Sequence, residues 1–159
     1  MTQNDDPQAQ DTPAEDRFVQ EWTATLLGLL EKAEPGTGAE TLLKECSAYH
    51  YRAAGMEALA TQYRGNLAGF IEMLTEKWGW KVTVDPLGQV ITADENKPDC
   101  VCPVARGGRL PVSGVLCHCS EGFARRMFTA VTGRPTRAKV VRSVLRGGAS
   151  CVYQIEILG

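Results

Sequence analysis

The sequence predicts an α+β fold in which N-terminal helices are followed by a β-β-α-β-β segment with an antiparallel sheet. Up to Lys77, apolar residues recur every three or four positions, which is the period of a helix buried on one face. From Trp78 onward they alternate with polar residues, and turn signals separate the alternating runs. At 159 residues, the chain has the length of one domain. We therefore expect a disordered acidic tail over 1–16 and a single domain over 17–159, helical over 17–77 and β-β-α-β-β over 78–159.

Three helices are predicted in the first half of the chain. The first spans about 17–33 and ends at the helix-breaking segment 34–38, which contains Pro and Gly. The second spans about 39–50 and the third about 56–77. The apolar spacing predicts an amphipathic first helix, with Phe18, Trp22, Leu26, Leu29 and Leu30 on its apolar face. In the third helix it predicts a buried stripe: Leu59, Tyr63, Leu67, Phe70, Ile71 and Leu74.

Two hairpins with a helix between them are predicted in the second half. The first hairpin pairs 78–84 with 90–93 around the turn Asp85-Pro86-Leu87-Gly88. The second pairs 136–145 with 150–158, and the two hairpins can join in one antiparallel sheet. In the last strand Cys151 alternates with apolar residues, which predicts a core position for it.

The segment between the hairpins is predicted to be a loop over 94–114 and then a helix over 121–132. Ser120 is the predicted N-cap of this helix, and Gly133 ends it. Cys119 then lies at the positive end of the helix, where a thiolate is favoured and the pKa of the thiol falls.

The composition is typical of a soluble globular protein, with 43% hydrophobic and 23% charged residues. No apolar run approaches the ~18 residues of a membrane span, and the acidic N-terminus is not a signal peptide. We therefore expect a cytoplasmic protein with no membrane partner. Whether the chain forms a homodimer stays an open question at this point.

The net charge of −2 is unevenly distributed along the chain. Residues 1–40 hold nine acidic side chains against two basic ones, whereas residues 104–146 hold nine basic side chains against Glu121. A basic half can attract nucleic acid or an anionic ligand. No nucleic-acid-binding motif accompanies the charge, so we expect a solvated face rather than a nucleic-acid partner.

Two Cys-x-Cys pairs carry the clearest chemical signal. They are Cys100-Val101-Cys102 and Cys117-His118-Cys119, and the loop between them is long enough to bring four thiols together. Four thiolates at one point repel one another and need a cation or oxidation. In a reducing cytoplasm such cysteines are more often ligands or redox groups than structural disulfides. The pattern predicts a centre that holds zinc, with an iron–sulfur cluster as the alternative.

Further ligands for this centre are predicted from helical spacing. Cys46 and His50 are four positions apart in the second helix, so they share one face, and Cys46 joins the predicted set. Whether His50 or His118 also binds the metal stays open. The predicted metal ligands are therefore Cys100, Cys102, Cys117, Cys119 and Cys46.

The C-terminal half resembles the 4-vinyl-reductase-type small-molecule-binding domains. The resemblance rests on the run Leu116-Cys-His-Cys-Ser-Glu-Gly-Phe123, on Gly133-Arg-Pro135 and on Ser143-Val-Leu-Arg-Gly-Gly-Ala-Ser-Cys151-Val-Tyr153. It is similar in particular to bacterial and archaeal proteins with Cys-x-Cys-Pro and Cys-x-Cys-Ser-x-Gly motifs, and it shares a weaker pattern with L-2-amino-thiazoline-4-carboxylate hydrolase-like proteins.

The resemblance implies an α+β fold that encloses a ligand pocket near a bound zinc. In the sensor members, the metal ligands include an acidic residue and a cysteine on the penultimate strand, where this chain has Arg142 and Ser143. Of that family's ligand set, Cys151 matches the last position. The metal is therefore assigned to the two Cys-x-Cys pairs.

Three functions follow from these observations. The first is a metal-binding small-molecule sensor or accessory domain, with a small molecule as its ligand. The alternative is a thiol-dependent enzyme, a hydrolase or a redox enzyme, with a cysteine at the start of the 120–132 helix as nucleophile. The third is a nucleic-acid-binding or protein-binding module that uses a basic stripe: Arg125, Arg126, Arg134, Arg137, Lys139, Arg142 and Arg146.

Overall fold

A computed structural model describes residues 14–34, 36–106 and 112–159. Four helices come first in these ranges: α1 (Ala14–Glu31), α2 (Ala39–Ala53), α3 (Met56–Gln62) and α4 (Leu67–Trp78). Then follow strands β1 (Lys81–Val84) and β2 (Val90–Asp94), the short helix α5 (Pro103–Arg106), the long helix α6 (Cys117–Thr132), and strands β3 (Thr136–Arg142) and β4 (Val152–Ile157). The predicted order of elements is confirmed. Most of the predicted acidic tail lies outside the described residues.

The predicted third helix is interrupted, and this part of the prediction is wrong. The chain turns between α3 and α4 at Gly65, whose φ of +77° favours glycine. The N–H of Gly65 donates to the carbonyl of Val131 at 2.7 Å, so the turn packs on the end of α6. Asn66 then caps α4, because its Oδ1 accepts from the N–H of Gly69 at 3.0 Å.

The four strands form one antiparallel sheet with the order β1-β2-β4-β3. The two predicted hairpins join where β2 pairs with β4. In the first turn, Oδ1 of Asp85 accepts from the N–H of Gln89 and of Val90, at 2.6 and 2.7 Å. Cys151, Tyr153, Ile155 and Ile157 are all buried, as the alternation predicts.

Helix α6 packs against α2 and against strands β3 and β4. It begins at Cys117, four residues before the predicted start, because the capping residue is Ser113 rather than Ser120. Oγ of Ser113 accepts from the N–H of Val115 at 3.2 Å, which starts a 3-10 turn over Gly114–Leu116 that runs directly into α6. The extra turn places both Cys117 and Cys119 inside the helix.

The apolar stripe of α1 is only partly buried. Leu27 contacts the core, whereas Trp22 and Leu29 are 58% and 63% exposed. Trp22 and Leu29 belong to the predicted apolar face but are largely exposed, since the spacing identifies an amphipathic helix but not which neighbour covers it. In the part of the chain that the structure describes, every helix is too short or too polar to cross a membrane.

Candidate functional site

A cavity of about 430 Å³ lies between α6, the sheet and the loop that carries residues 100–102. Phe123, Met127, Val140 and Leu145 contribute apolar walls. A volume of this size with mostly apolar walls is typical of a site for a small organic molecule. The polar groups on its walls therefore decide what it can bind.

One face of α6 forms a wall of this cavity. Cys117, Ser120, Ala124 and Met127 follow one another at spacings of three and four, so their side chains share that face. Cys119 is two positions from Cys117, which turns its side chain roughly 200° around the helix axis. The structure therefore does not bring the sulfurs of this Cys-x-Cys pair to the same side of α6.

Four cysteines line the cavity: Cys100, Cys102, Cys117 and Cys151. The thiols of Cys100 and Cys151 are neighbours that shift each other's pKa. The thiol of Cys117 donates to Oγ of Ser143 at 3.2 Å. Three of the predicted metal ligands from the two distant motifs thus line one cavity together with Cys151, but no three of their sulfurs in the described ranges lie within 4.8 Å of one another.

The pKa values of these thiols differ because their surroundings differ. The neighbouring thiol of Cys151 lowers the pKa of Cys100, and the thiol of Cys100 in turn raises the pKa of Cys151. Burial raises the pKa of Cys102 and of Cys117. In the absence of a cation, Cys100 is therefore the thiol of this group that ionises first.

The other predicted ligands lie outside the cavity wall or on its margin. Cys119 is buried beside Leu27 and Leu43, with its sulfur 4.0 Å from Nδ1 of His50. Burial raises the pKa of Cys119 to about 11, so the expected lowering by the helix terminus is wrong: desolvation outweighs it. Cys46 is exposed on α2.

The two histidines have different surroundings. His50 lines the cavity and packs on Phe123 with ring centroids 4.6 Å apart, and burial lowers its pKa. His118 points to a separate cluster, where its Nδ1 lies 2.9 Å from Oε2 of Glu121. A search of the described ranges for three or more potential metal-ligand atoms within 4.8 Å of one another gives one group, which consists of Glu40, His118 and Glu121. Because Nζ of Lys44 lies 3.1 Å from Glu121, this cluster already contains a cation.

A buried carboxyl group forms the polar wall opposite the apolar residues. Glu95 is 5% exposed and lines the cavity, and its Oε1 accepts from the hydroxyl of Tyr153 at 2.8 Å. Burial raises the pKa of Glu95, an effect that the Tyr153 hydrogen bond partly opposes. Trp78 and Trp80 line the same region.

Sequence reasoning missed Cys151 and Glu95 as site residues. Cys151 is a core residue, as predicted, but it also borders the cavity, because the strand face that packs on α6 continues into the cavity wall. Glu95 directly follows β2, and its residue type does not indicate burial, because acidic residues are mostly exposed. The period-two alternation of β2, continued by one residue, could have found it.

Several members of the predicted basic stripe are paired with acidic side chains. Arg125 and Arg126 both contact Glu45, at 3.1 and 2.9 Å, while Arg137 pairs with Glu156 at 3.0 Å. These pairs agree with a solvated face balanced by the acidic groups of the same molecule.

No protein-family model and no curated protein matches the chain. Among solved structures, it is similar to a trafficking protein particle complex subunit 3 from Naegleria fowleri covalently bound to palmitic acid, with 11% identity, a TM-score of 0.42, and coverage of 93% of this chain and 98% of that one. It is also similar to the phenol-responsive sensory domain of the transcription activator PoxR with phenol, with 19% identity, a TM-score of 0.44, and coverage of 85% and 74%. At these values neither likeness assigns a ligand, and the resemblance to the 4-vinyl-reductase type stays a prediction.

Thiol labelling tests the description of the cysteines. In metal-free protein at neutral pH, we expect iodoacetamide to modify Cys46 and Cys100 first, because Cys46 is exposed and Cys100 has a lowered pKa. Cys119 should be modified among the last, because it is buried with a raised pKa. Mass spectrometry of the digested protein gives the order, and equal rates for all six cysteines would contradict this description.

Proposed function

We propose that the chain is a small-molecule-binding sensor or accessory domain whose ligand cavity is closed on one side by a thiol-ligated metal centre. The single observation that supports the proposal is that Cys100, Cys102, Cys117 and Cys151 all line one apolar cavity. These cysteines come from three separate parts of the chain, so their shared cavity is a product of the fold.

The donor type suits zinc, but no three of these sulfurs in the described ranges lie within 4.8 Å of one another, so a bound ion would have to draw them together. Four thiolates are a common structural zinc set, and an ion that binds them compensates the charge of ionised sulfurs in an apolar wall. A bound cation also lowers thiol pKa values, which overcomes the rise that burial causes at Cys102 and Cys117. An iron–sulfur cluster uses the same donor type and stays the alternative.

The metal would stabilise the fold around the cavity. The four cysteines tie the loop at 100–102 to the start of α6 and to the residue before β4. Because such a site forms only in the folded chain, the free energy of metal binding contributes to folding. A small molecule that enters the cavity then contacts walls whose positions the metal fixes.

Metal analysis of serine variants tests this assignment. We expect protein purified under anaerobic conditions to contain about one zinc per chain and to show no visible absorption. Cys117→Ser and Cys151→Ser should lose most of the metal and melt at a lower temperature. Strong visible absorption together with bound iron would instead identify the cluster.

Two further variants separate the alternative ligand sets. Cys46→Ser and Cys119→Ser should keep their zinc, because neither residue lines the cavity. If Cys119→Ser loses the metal while Cys151→Ser keeps it, the ligand set predicted from the Cys-x-Cys spacing is right and the cavity-wall set is wrong. Full metal content in both Cys117→Ser and Cys151→Ser would refute the centre altogether.

A further inference from the structure

We propose that the cavity selects small, largely apolar ligands that carry an ammonium group, and that the carboxylate of Glu95 binds this group. The inference rests on the proposed function, since it names the class of ligand for the same cavity. It depends on three features: the position of Glu95, the aromatic rings around it, and the placement of the nearby lysines.

Two hydrogen bonds hold Glu95 in place, but only one of its two carboxylate oxygens takes part in them. Its backbone N–H donates to the carbonyl of Cys151 at 2.9 Å, and its Oε1 accepts from the hydroxyl of Tyr153. Among the described residues, no hydrogen bond or ion pair reaches Oε2. Oε2 is not fully enclosed, because the fully enclosed side-chain atom without a partner in those ranges is the Tyr51 hydroxyl oxygen. A buried carboxylate without a cation is costly, and a ligand cation removes that cost.

Aromatic rings stand beside this carboxyl group. The rings of Trp80 and Tyr153 stack with centroids 6.1 Å apart and planes within 10°, and Trp78 packs on Trp80 at 5.6 Å. All three residues line the cavity. Indole and phenol faces attract cations, and desolvation strengthens this attraction. A carboxylate next to aromatic faces is therefore complementary to an ammonium group and discriminates against an anion.

The cations of the chain itself do not neutralise Glu95. Lys77 and Lys97 border the cavity, but both are exposed, and neither forms an ion pair with Glu95 within 4.0 Å. A Cβ atom added at Gly79 would lie 3.2 Å from Nζ of Lys97, which places that ammonium group next to the turn between Trp78 and Trp80. The partner of Glu95 is therefore expected to arrive with the ligand.

The test compares three probes of nearly equal size: benzylamine, benzyl alcohol and benzoate. Binding to the full chain is followed by tryptophan fluorescence, since Trp78 and Trp80 line the cavity. We expect the ammonium form of benzylamine to bind at least about tenfold more tightly than benzoate. In Glu95→Gln, which keeps an acceptor for Tyr153, benzylamine should lose about tenfold in affinity, while benzyl alcohol changes by less than about twofold.

Two controls make the result unambiguous. The melting temperature of Glu95→Gln shows that the variant is folded. Lys97→Met should bind benzylamine as well as the unchanged chain does, or more tightly, because a competing cation is gone. A marked loss of benzylamine binding in Lys97→Met would overturn the inference.

The outcomes also separate this inference from the proposed function. If benzyl alcohol binds but benzylamine is not preferred, or if Glu95→Gln leaves the preference unchanged, the ammonium assignment is wrong and the cavity remains a ligand site. If none of the three probes binds, the ammonium assignment is again overturned. Displacement of the neutral probe N-phenyl-1-naphthylamine by other apolar molecules then tests the cavity alone, and zinc analysis tests the metal centre independently.

Discussion

Gly122→Ala is expected to lower the free energy of unfolding by about 2 kcal/mol. Gly122 is the contact point of α6 with α2, and a Cβ atom there would lie 2.3 Å from the carbonyl oxygen of Lys44 and 2.5 Å from Oγ of Ser47. A backbone carbonyl cannot rotate away, so the two helices must separate, and overpacking of this kind costs ~1–3 kcal/mol or more. The higher helix propensity of Ala offsets only about 1 kcal/mol of this cost. Urea denaturation measures the change.

Gly28→Ala is the matched control for this substitution. Gly28 lies inside α1, and a Cβ atom there would meet nothing within 4 Å. The same change should therefore stabilise the protein by roughly 0.5–1 kcal/mol through helix propensity. If Gly122→Ala is as stable as the unchanged chain, the close approach of α2 and α6 is not as described.

Glu121→Ala is the second substitution with a large expected effect, a loss of about 3 kcal/mol. Glu121 is 4% exposed, and its Oε1 accepts from the N–H of Val140 at 3.0 Å. Its Oε2 contacts Nδ1 of His118 at 2.9 Å and Nζ of Lys44 at 3.1 Å. Removing the carboxylate leaves a buried N–H and a partly buried cation without partners. The control is Glu76→Gln, which changes an exposed residue of α4. Its free energy of unfolding should differ from that of the unchanged chain by less than about 0.5 kcal/mol.

The same carboxylate gives a prediction for the pH dependence of stability. Burial by itself would raise the pKa of Glu121, but the hydrogen bonds from His118 and Val140 and the contact with Lys44 together lower it. A group whose pKa is lower in the folded state stabilises the fold above its unfolded pKa of about 4.3, and the stabilisation is lost as the pH falls through the folded value. Glu121→Gln should therefore lose less stability than the unchanged chain between neutral and acidic pH. Equal losses in both proteins would contradict the lowered pKa.

The order of helices and strands could be predicted from the sequence because it depends on the period of the apolar residues. The errors arise where a local signal competes with a longer pattern. The apolar stripe continues through Gly65 and Asn66, but a glycine with positive φ and an Asn N-cap divide the helix there. Similarly, Ser113 and Ser120 are both acceptable caps by residue type, and the 3-10 turn decides between them.

The cavity could be predicted only in part. The two Cys-x-Cys motifs identify a thiol-rich site, and Cys100, Cys102 and Cys117 do line one cavity. Which sulfur of the second motif faces that cavity depends on whether the segment is loop or helix, which spacing alone does not decide. The contribution of Glu95 depends on the pairing of β2 with β4, a contact between residues about 60 positions apart.

The two sides of α6 contact different parts of the molecule. Ser120 and Ala124 border the cavity, whereas Gly122 lies on the opposite side of the helix. There it packs so closely on the backbone of α2 that no room remains for a Cβ atom. The backbone of α2 therefore limits how far α6 can move away from the cavity, so the cavity wall formed by α6 is held in place from behind.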